Sequence, residues 1–298
     1  MAYNLKSIKE EFKSKGIFYT PPELAQLLKS YIEFEPKEVY DPTCGDGGLL
    51  AVFNDDVIKY GQEINKEQLE VAKERLINFN GVCGDTLKEP AFKDKKFECI
   101  IANPPFSINW EPKDDERFNG MLAPKSKADY AFILHILHYL SDNGIAVVLD
   151  AHGILFRGNK EGEIRKYIIN NNYIDKIINI PAKTFADTNI PTVLLILKKN
   201  KKNTDIQFED IETNKKEIVS LEKIKENDYN LNIPRYIDMF EEEEEIDINE
   251  VQKQLKEIDK EIAETDKELN KYLKELGLDE LWFLKMNVWI FIKKSKCI

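Results

Sequence analysis

The stretch EVYDPTCGDGG, residues 38–48, decides the fold. An apolar run ends at Asp41, and a glycine-rich turn follows it immediately. Apolar strands that alternate with amphipathic helices are typical of a mostly parallel sheet covered by helices on both faces. The stretch therefore predicts the first strand and turn of a doubly wound α/β sheet.

The same alternation continues from residue 49 to residue 198. We predict helices in GLLAVFN, NKEQLEVAKERLINF, DYAFILHILHYL and EGEIRKYIINNN. We predict strands in DVIKYGQEI, FECIIANPPF, GIAVVLD, IDKIINIP and PTVLLILKK. The last two strands are joined only by AKTFADTNI, a connection that permits an antiparallel pair at one edge of the sheet.

Composition limits the class of protein. The 298 residues suffice for one main domain and an appendage, and 42% are hydrophobic, as in globular proteins. No apolar run approaches the roughly 20 residues that cross a membrane, and the first residues lack the apolar core of a signal peptide. The four cysteines form no CxxC pair, which suits a reducing compartment and argues against a metal site. We therefore expect a cytoplasmic protein without a membrane contact.

Charge and periodicity divide the chain. Residues 238–280 contain 17 acidic and 6 basic residues, so this segment alone carries a net charge of −11, equal to that of the whole chain. We predict a main domain over 1–237, an acidic linker over 238–250, a heptad helix over 251–276 and an apolar and basic tail over 277–298, to which we assign no role. The main domain is nearly neutral and offers no strong electrostatic footprint for nucleic acid.

Three stretches are expected to meet in one crevice, because ligands of such sheets bind beyond the carboxyl ends of the strands. The first is the turn from Asp41 to Gly48, whose glycines let the backbone approach a ligand closely. The second is Glu63, which can accept both hydroxyls of a ribose. The third is Asp85, which can accept an exocyclic adenine amine. The turn lacks the GxGxxG spacing, so a nucleoside without a pyrophosphate suits these groups.

A fourth element is Asn103-Pro104-Pro105-Phe106, which ends the strand CIIA. Prolines cannot donate to a sheet ladder, so the strand stops there. It presents an amide, a rigid backbone and an aromatic ring at the carboxyl edge of the sheet.

Taken together, these motifs resemble the S-adenosylmethionine-dependent methyltransferases that act on the N6 nitrogen of adenine in DNA. The resemblance rests on DPTCGDGG, Glu63, Asp85, NPPF and the entry motif GIFYTPPELAQLLKSYI. It implies a class I, Rossmann-like methyltransferase fold. It assigns cofactor binding to Tyr19, Thr20, Pro21, Asp41, Pro42, Thr43, Cys44, Gly45, Gly47, Gly48, Glu63, Asp85 and Asn103, and catalysis to Asn103, Pro104, Pro105 and Phe106.

The chemistry of that reaction accounts for the residue types. Adenine N6 is a weak nucleophile, since its lone pair is delocalised into the ring. The amide oxygen of Asn103 and the carbonyl of Pro104 can each accept one N6 hydrogen and localise the pair. A base in duplex DNA must be flipped out to reach the crevice, and Phe106 offers it a stacking face.

A closer resemblance is to the modification subunit of type I restriction-modification systems. It is carried by FYTP, RFNGMLAPKSKADYAFILHILHYL, GIAVVLDAHGILFRG, TNIPTVLLILKK and YNLNIPRYID, in the order of that family. It implies double-stranded DNA and a specificity subunit as partners, the latter through the C-terminal helix. A second modification subunit and a nuclease subunit are the further partners of such systems.

Residues 107–128 form a long connection after the catalytic motif, as functional loops often do. Its exposed-looking side chains are candidates for contact with the displaced DNA strand: Trp110, Lys113, Arg117, Lys125 and Lys127. By contrast, His135 and His138 have apolar neighbours at helical spacing, and we expect them to be buried or half-buried helix residues.

Two other functions remain open at this point. One is amino-group methylation of RNA or of a protein glutamine, against which Phe106 and the acidic tail weigh. The other is a cofactor-binding assembly subunit without turnover, against which the intact NPPF motif weighs.

Overall fold

A computed structural model describes residues 20–181, 191–237 and 248–276. Tyr19, the connection AKTFADTNI, the linker residues 238–247 and the tail 277–298 lie outside the described residues. The chain divides into two compact units, Met1–Phe240 and Glu241–Ile298.

The first unit alternates strands and helices over most of its length. Its strands are β1 (Glu38–Asp41), β2 (Ile58–Glu63), β3 (Phe79–Cys83), β4 (Phe97–Ala102), β5 (Leu140–Ala151), β6 (Ile174–Ile180), β7 (Thr192–Lys198), β8 (Ile206–Asp210) and β9 (Lys215–Val219). Its helices are α1 (Pro22–Ser30), α2 (Lys66–Arg75), α3 (Asp129–Tyr139), α4 (Asn159–Asn170) and α5 (Leu221–Glu226). Short 3-10 turns lie at Leu50–Val52, His152–Leu155 and Ile233–Arg235.

The described strands form one mixed sheet in the order β3-β2-β1-β4-β5-β7-β6-β8-β9. Strands β1 to β5 pair in parallel, as do β6 and β8, whereas β7 is antiparallel to both β5 and β6. The predicted α/β fold is therefore confirmed. Strand order reverses between β1 and β4, so the residues that follow these two strands meet in one crevice.

The predicted position of the β6 and β7 pair was wrong in one respect. The two strands do pair, but β7 inserts between β5 and β6 instead of forming an edge. Strand β7 is apolar on both faces and is buried along almost its whole length, so an internal position suits it. The antiparallel edge strand is β9. Its three middle residues are exposed, and only one of them, Ile218, is apolar.

Two apolar layers cover the two faces of the sheet. Successive residues of β4 alternate between them: Ile100 belongs to the layer under α3, α4 and α5, and Ile101 to the layer under α1 and α2. Helix α3 is buried nearly all round, which explains its continuous apolar sequence. Packing on both faces holds the ends of the strands in place.

Local structure agrees with most of the remaining predictions. The segment GLLAVFN forms only a 3-10 turn, because Asn54, Asp55 and Asp56 follow it and such residues favour turns over helix. His135 is fully buried, as expected. No helix among the described residues is long and apolar enough to cross a bilayer.

The second unit contains the predicted heptad helix as α6 (Ile248–Glu275). Its apolar residues form a stripe that is 40–73% exposed in the structure: Val251, Leu255, Ile258, Ile262, Leu269 and Tyr272 within the helix, and Leu276 just after it. We call these residues the heptad stripe.

Candidate active site

The turn after β1 is shaped by two glycines with positive φ. Gly45 has φ +53° and Gly47 has φ +81°, a region that side chains rarely adopt. A Cβ atom on Gly47 would lie 2.7 Å from Cδ1 of Leu76, so helix α2 also excludes a side chain there. By contrast, apart from the chain neighbours of Gly45, no heavy atom of the described residues lies within 4 Å of the position of a Cβ on Gly45. Among the described residues, the turn therefore borders open space at Gly45.

Glu63 is held beside this turn at the end of β2. Its Oε2 accepts the backbone N–H of Gly45 at 2.9 Å, and its Oε1 accepts the N–H of Asn65 at 2.8 Å. Two charge-assisted hydrogen bonds fix the carboxylate where the ribose of a nucleoside is expected. The next residue, Ile64, is 69% exposed and offers an apolar face at the same rim.

Asp41 is buried at the end of β1. Its Oδ1 accepts the N–H of Thr43 at 2.9 Å. Burial raises the pKa of Asp41 to about 7, and the negative charge of Glu63 contributes to the rise. No described lysine or arginine forms an ion pair with either carboxylate. The crevice thus holds two acids whose charges a cationic ligand would balance.

Pro42 and Cys44 contribute to the turn by their backbones. Both residues are buried, and Cys44 lies so close to Gly61 that a Cβ there would be 2.7 Å from its Sγ. The Oγ1 of Thr86 donates to the carbonyl of Pro42 at 2.5 Å, which ties the loop after β3 to the turn. Of the predicted cofactor residues, these two therefore present no side chain to the crevice.

Asp85 lies in the loop after β3 and shapes that loop. Its Oδ1 accepts the N–H groups of Leu87 and Lys88 at 3.0 and 3.3 Å. Its Oδ2 accepts no hydrogen bond from a described residue and is left for a ligand.

Arg117 clamps this loop, although the sequence suggested a DNA contact. Its guanidinium donates to the carbonyls of Thr86 and Leu87 at 2.8 and 2.6 Å and pairs with Asp115 at 2.6 Å. Its side chain is only 2% exposed. The prediction that Arg117 contacts DNA was therefore wrong, because the loop folds back and its arginine satisfies buried carbonyls.

The clamp extends to helix α3 through His135. Nη1 of Arg117 lies 3.1 Å from Nδ1 of His135, and Nε2 of His135 lies 3.0 Å from Oη of Tyr40. Arginine only donates, so Nδ1 accepts and the ring proton lies on Nε2. Burial and the charge of Arg117 both lower the pKa of His135 well below its usual value, which keeps this neutral tautomer.

Trp110 is the second residue of the loop that was misassigned to DNA. It is 9% exposed, and its Nε1 donates to the carbonyl of Pro124 at 2.9 Å. The ring packs against Phe118 and closes the loop on itself. Lys113 and Lys125 are exposed, and their contact with the displaced DNA strand stays a prediction.

Asn103 follows β4 directly and faces Thr20. Its Nδ2 donates to Oγ1 of Thr20 at 3.1 Å. With the amide nitrogen engaged, Oδ1 is the atom of Asn103 that remains for a substrate. Thr20 and Pro21 were expected to bind the cofactor. In the structure, Thr20 also orients the amide of Asn103, and Pro21 is the N-cap residue of α1.

Pro104 is buried, whereas Pro105 and Phe106 are half-buried. The ring of Phe106 packs against the apolar layer under α1 and α2, so one of its sides is supported. The motif thus follows β4, the strand that pairs with β1. Its amide contacts Thr20, whose carbonyl oxygen lies 3.7 Å from the position of a Cβ on Gly48 in the turn after β1.

Sequence reasoning missed two groups that support the site. Arg117 was assigned elsewhere, and Asp129, whose Oδ1 accepts the N–H of Ser107 at 2.8 Å, received no role. An acid at the first turn of an otherwise apolar helix is the signal that points to Asp129, since such a residue is rarely buried without a partner.

The strand order, with β7 antiparallel inside the sheet, and the glycine turn followed by an acid at the next strand end define the class I methyltransferase fold. Within that class, the chain belongs to the N-6 DNA methylase family, whose model matches residues 3–219.

Named relatives agree with this assignment. The chain is 34% identical over 306 residues to the type I restriction enzyme MpnII methylase subunit of Mycoplasma pneumoniae, covering 79% of this chain and 55% of the relative. It is 31% identical over 299 residues to the MjaVII methylase subunit of Methanocaldococcus jannaschii, covering 78% and 51%. The chain thus spans about half the length of the curated relatives it matches.

A solved structure is similar as well. The type I restriction-modification methyltransferase subunit of Streptococcus thermophilus superposes with a TM-score of 0.68 at 35% sequence identity. The match covers 74% of this chain and 59% of that one.

Proposed function

We propose that this protein transfers a methyl group from S-adenosylmethionine to N6 of adenine in DNA, as the modification subunit of a type I-like restriction-modification system. The observation that carries the proposal is the orientation of Asn103. Its Nδ2 donates to Oγ1 of Thr20, which leaves Oδ1 for a substrate, and the carbonyl oxygen of Thr20 lies 3.7 Å from the position of a Cβ on Gly48 in the turn after β1. Membership of the N-6 DNA methylase family supports the same reaction.

The charges of the crevice suit this cofactor. S-adenosylmethionine carries an ammonium and a sulfonium, and Asp41 and Glu63 are acids with no described cationic partner. The open space at Gly45 accepts a ligand close to the backbone. In this proposal Glu63 accepts the ribose hydroxyls, Oδ2 of Asp85 accepts the adenine amine, and Ile64 contacts the apolar ring.

The residues of the chain perform three tasks in the reaction. The bound cofactor supplies an activated methyl group on its sulfonium. Asn103 Oδ1 and the Pro104 carbonyl accept hydrogen bonds from the two N6 hydrogens, which localises the nitrogen lone pair toward that methyl group. When the N–C bond forms at the expense of the S–C bond, N6 releases one of its two hydrogens as a proton to solvent. Phe106 stacks on the flipped adenine, and its supported ring keeps the base in line for transfer. The prolines hold these acceptors in place before the substrate arrives.

A specificity subunit is the partner that we assign to α6. The heptad stripe is exposed, and an apolar seam with this spacing is typical of a helix that packs along another helix. The named relatives are subunits of larger enzymes, which supports an assembly of this kind. A second modification subunit and a nuclease subunit would complete it, and such an activity belongs in the cytoplasm.

The test uses tritiated S-adenosylmethionine and unmethylated DNA, with and without the specificity subunit, followed by nucleoside analysis. We expect N6-methyladenine when the partner is present. Asn103→Ala should lower turnover by about 10²-fold or more, since it removes a preorganised acceptor, and should lower cofactor affinity by a smaller factor. Asn109→Ala, an exposed amide a few residues further on, is the matched control.

The other outcomes separate the alternatives. Label in RNA or in a protein glutamine would move the activity to a different amino group. Bound cofactor with no label in any of these substrates would favour a non-catalytic assembly subunit.

A further inference from the structure

The turn that follows Phe106 is strained. Ser107 has φ +52°, which places a residue with a side chain in the left-handed region. Such conformations persist only where the surrounding structure holds them, and they concentrate at functional sites. The position directly follows the residues to which we assign methyl transfer, so whatever holds Ser107 also determines where Phe106 lies.

One buried side chain, that of Asp129, holds the backbone of this turn from outside, while Nζ of Lys127 lies 3.5 Å from Oγ of Ser107. Oδ1 of Asp129 accepts the backbone N–H of Ser107 at 2.8 Å. Asp129 is 1% exposed and is the first residue of α3, the helix that is buried nearly all round. A charge-assisted hydrogen bond from so rigid an element fixes both the position and the direction of the Ser107 amide.

The second oxygen of Asp129 is fixed by Arg157. Nη1 of Arg157 lies 3.4 Å from Oδ2 of Asp129 and 2.9 Å from Oε1 of Glu161. A Cβ atom on Gly153 would lie 2.2 Å from Nε of Arg157, so the absence of a side chain at Gly153 gives the guanidinium its place. Arg157 is thereby confined between two carboxylates and a glycine.

Asp150 completes the network from the end of β5. Its Oδ1 accepts the N–H of Ala151, while its Oδ2 is buried and accepts no hydrogen bond from any described group. Burial, together with the charge of nearby Asp129, raises the pKa of Asp150 well above its usual value. The carboxyls of Asp150 and Asp129 therefore lie close together within the same buried network.

We propose that Asp129 is a positioning residue for methyl transfer, which holds the strained turn at Ser107 and thereby places Pro104 and Phe106 against the substrate base. Arg157 holds Asp129 in turn. This inference rests on the proposed function and extends it to a residue that touches neither cofactor nor substrate.

The test compares the full chain with its Asp129→Ala and Asp129→Asn variants. Three quantities are measured: methylation of DNA with the specificity subunit present, cofactor affinity by calorimetry, and amide hydrogen exchange of the peptide that covers residues 104–110. Asp142→Ala, which changes an exposed aspartate at the start of β5, is the matched control. Asp129→Ser replaces the alanine variant if that protein is insoluble.

We expect Asp129→Ala to lower kcat by about 10–100-fold, the range in which a small misplacement of reacting groups costs turnover. Its cofactor affinity should stay within about twofold, and exchange at residues 104–110 should accelerate about tenfold or more, because the amide loses a charged acceptor. Asp129→Asn keeps an oxygen for Ser107 and should restore most of the turnover and the protection.

Two outcomes would overturn the assignment. One is a folded alanine variant with wild-type kcat. The other is a parallel loss of cofactor affinity and of exchange protection throughout the chain, as a merely structural role would produce. If the wild-type protein methylates no DNA, the proposed function fails separately. The exchange measurement then decides whether Asp129 holds the turn at Ser107. Unchanged protection in Asp129→Ala refutes this role, and a loss confined to residues 104–110 supports it.

Discussion

Replacing Arg117 by methionine should destabilise the main domain and loosen the loop that carries Asp85. Methionine fills a similar volume but donates no hydrogen bond. The carbonyls of Thr86 and Leu87 and the Nδ1 atom of His135 would then lose their donor in a buried setting.

The size of the effect follows from these contacts. Hydrogen bonds from a charged donor contribute about 1.5–3 kcal/mol each, so the two carbonyl bonds alone account for ~3–6 kcal/mol. The ion pair with Asp115 adds little, since that carboxylate is 37% exposed and screened by solvent. Some water will reach the carbonyls, so we expect a loss of about 3 kcal/mol in the free energy of unfolding. For a domain of this size that corresponds to a fall of roughly 10 °C in Tm.

Urea unfolding followed by circular dichroism measures this free energy, and hydrogen exchange of the peptide 85–91 reports on the loop itself. Lys113→Met on the same loop is the matched control, because Lys113 is exposed and should change stability by no more than about 0.5 kcal/mol. Arg117→Lys should recover only part of the loss, since one ammonium cannot reproduce the planar fork.

The reasoning would be refuted by an Arg117→Met protein that unfolds within about 0.5 kcal/mol of the wild type and of Lys113→Met. In that case the guanidinium contacts would contribute nothing to the folded state, and the loop that carries Asp85 would depend on other contacts.

Two further predictions concern the cofactor and the partner. Burial raises the pKa of Asp41 to about 7, so Asp41 is protonated below that pH, whereas a cationic cofactor favours the carboxylate. The affinity for S-adenosylmethionine should therefore fall about tenfold from pH 8 to pH 6. Calorimetry of Asp41→Asn should show an affinity that changes less with pH. Equal profiles for the two proteins would contradict this role of Asp41. Placing glutamate at both Ile258 and Ile262 of the heptad stripe should abolish copurification with the specificity subunit, whereas Glu257→Lys, a charge change outside the stripe, should not. Retention of the partner by the double variant would exclude the stripe as the contact surface.

Sequence patterns predicted β1, β2 and β4 to β7, because these strands carry their own apolar runs, whereas β3, β8 and β9 were not among the predicted strands. The run CIIA places alternate residues in two apolar layers, and the run DYAFILHILHYL becomes a helix that is buried nearly all round. The insertion of β7 between β5 and β6 was not predictable in this way, since strand order depends on which edge is left open once the other strands have paired.

For the site, the sequence identified the residues that end strands. Asp41, Glu63 and Asn103 each follow an apolar run, and the parallel topology then brings such residues to one edge of the sheet. Whether they bind S-adenosylmethionine and adenine remains a prediction for the experiments above.

The periodicity of the sequence could not indicate the contacts of the side chains that support the site. Arg117 and Trp110 stand in a loop without any repeat, and a sequence does not show whether a cation in such a loop points to solvent or to buried carbonyls. Asp129 looks like an ordinary acid at a helix start until Ser107, 22 positions earlier, is seen to donate to it.

By itself, then, the sequence determined the α/β class, the strand-end motifs and the heptad helix, because these depend on local periodicity and on neighbouring residues. Tertiary structure alone decided the orientation of Asn103 by Thr20, the clamp of Arg117 and the anchor of Asp129. These contacts join residues that are distant along the chain, and only the packed sheet and its helices bring them within hydrogen-bonding distance.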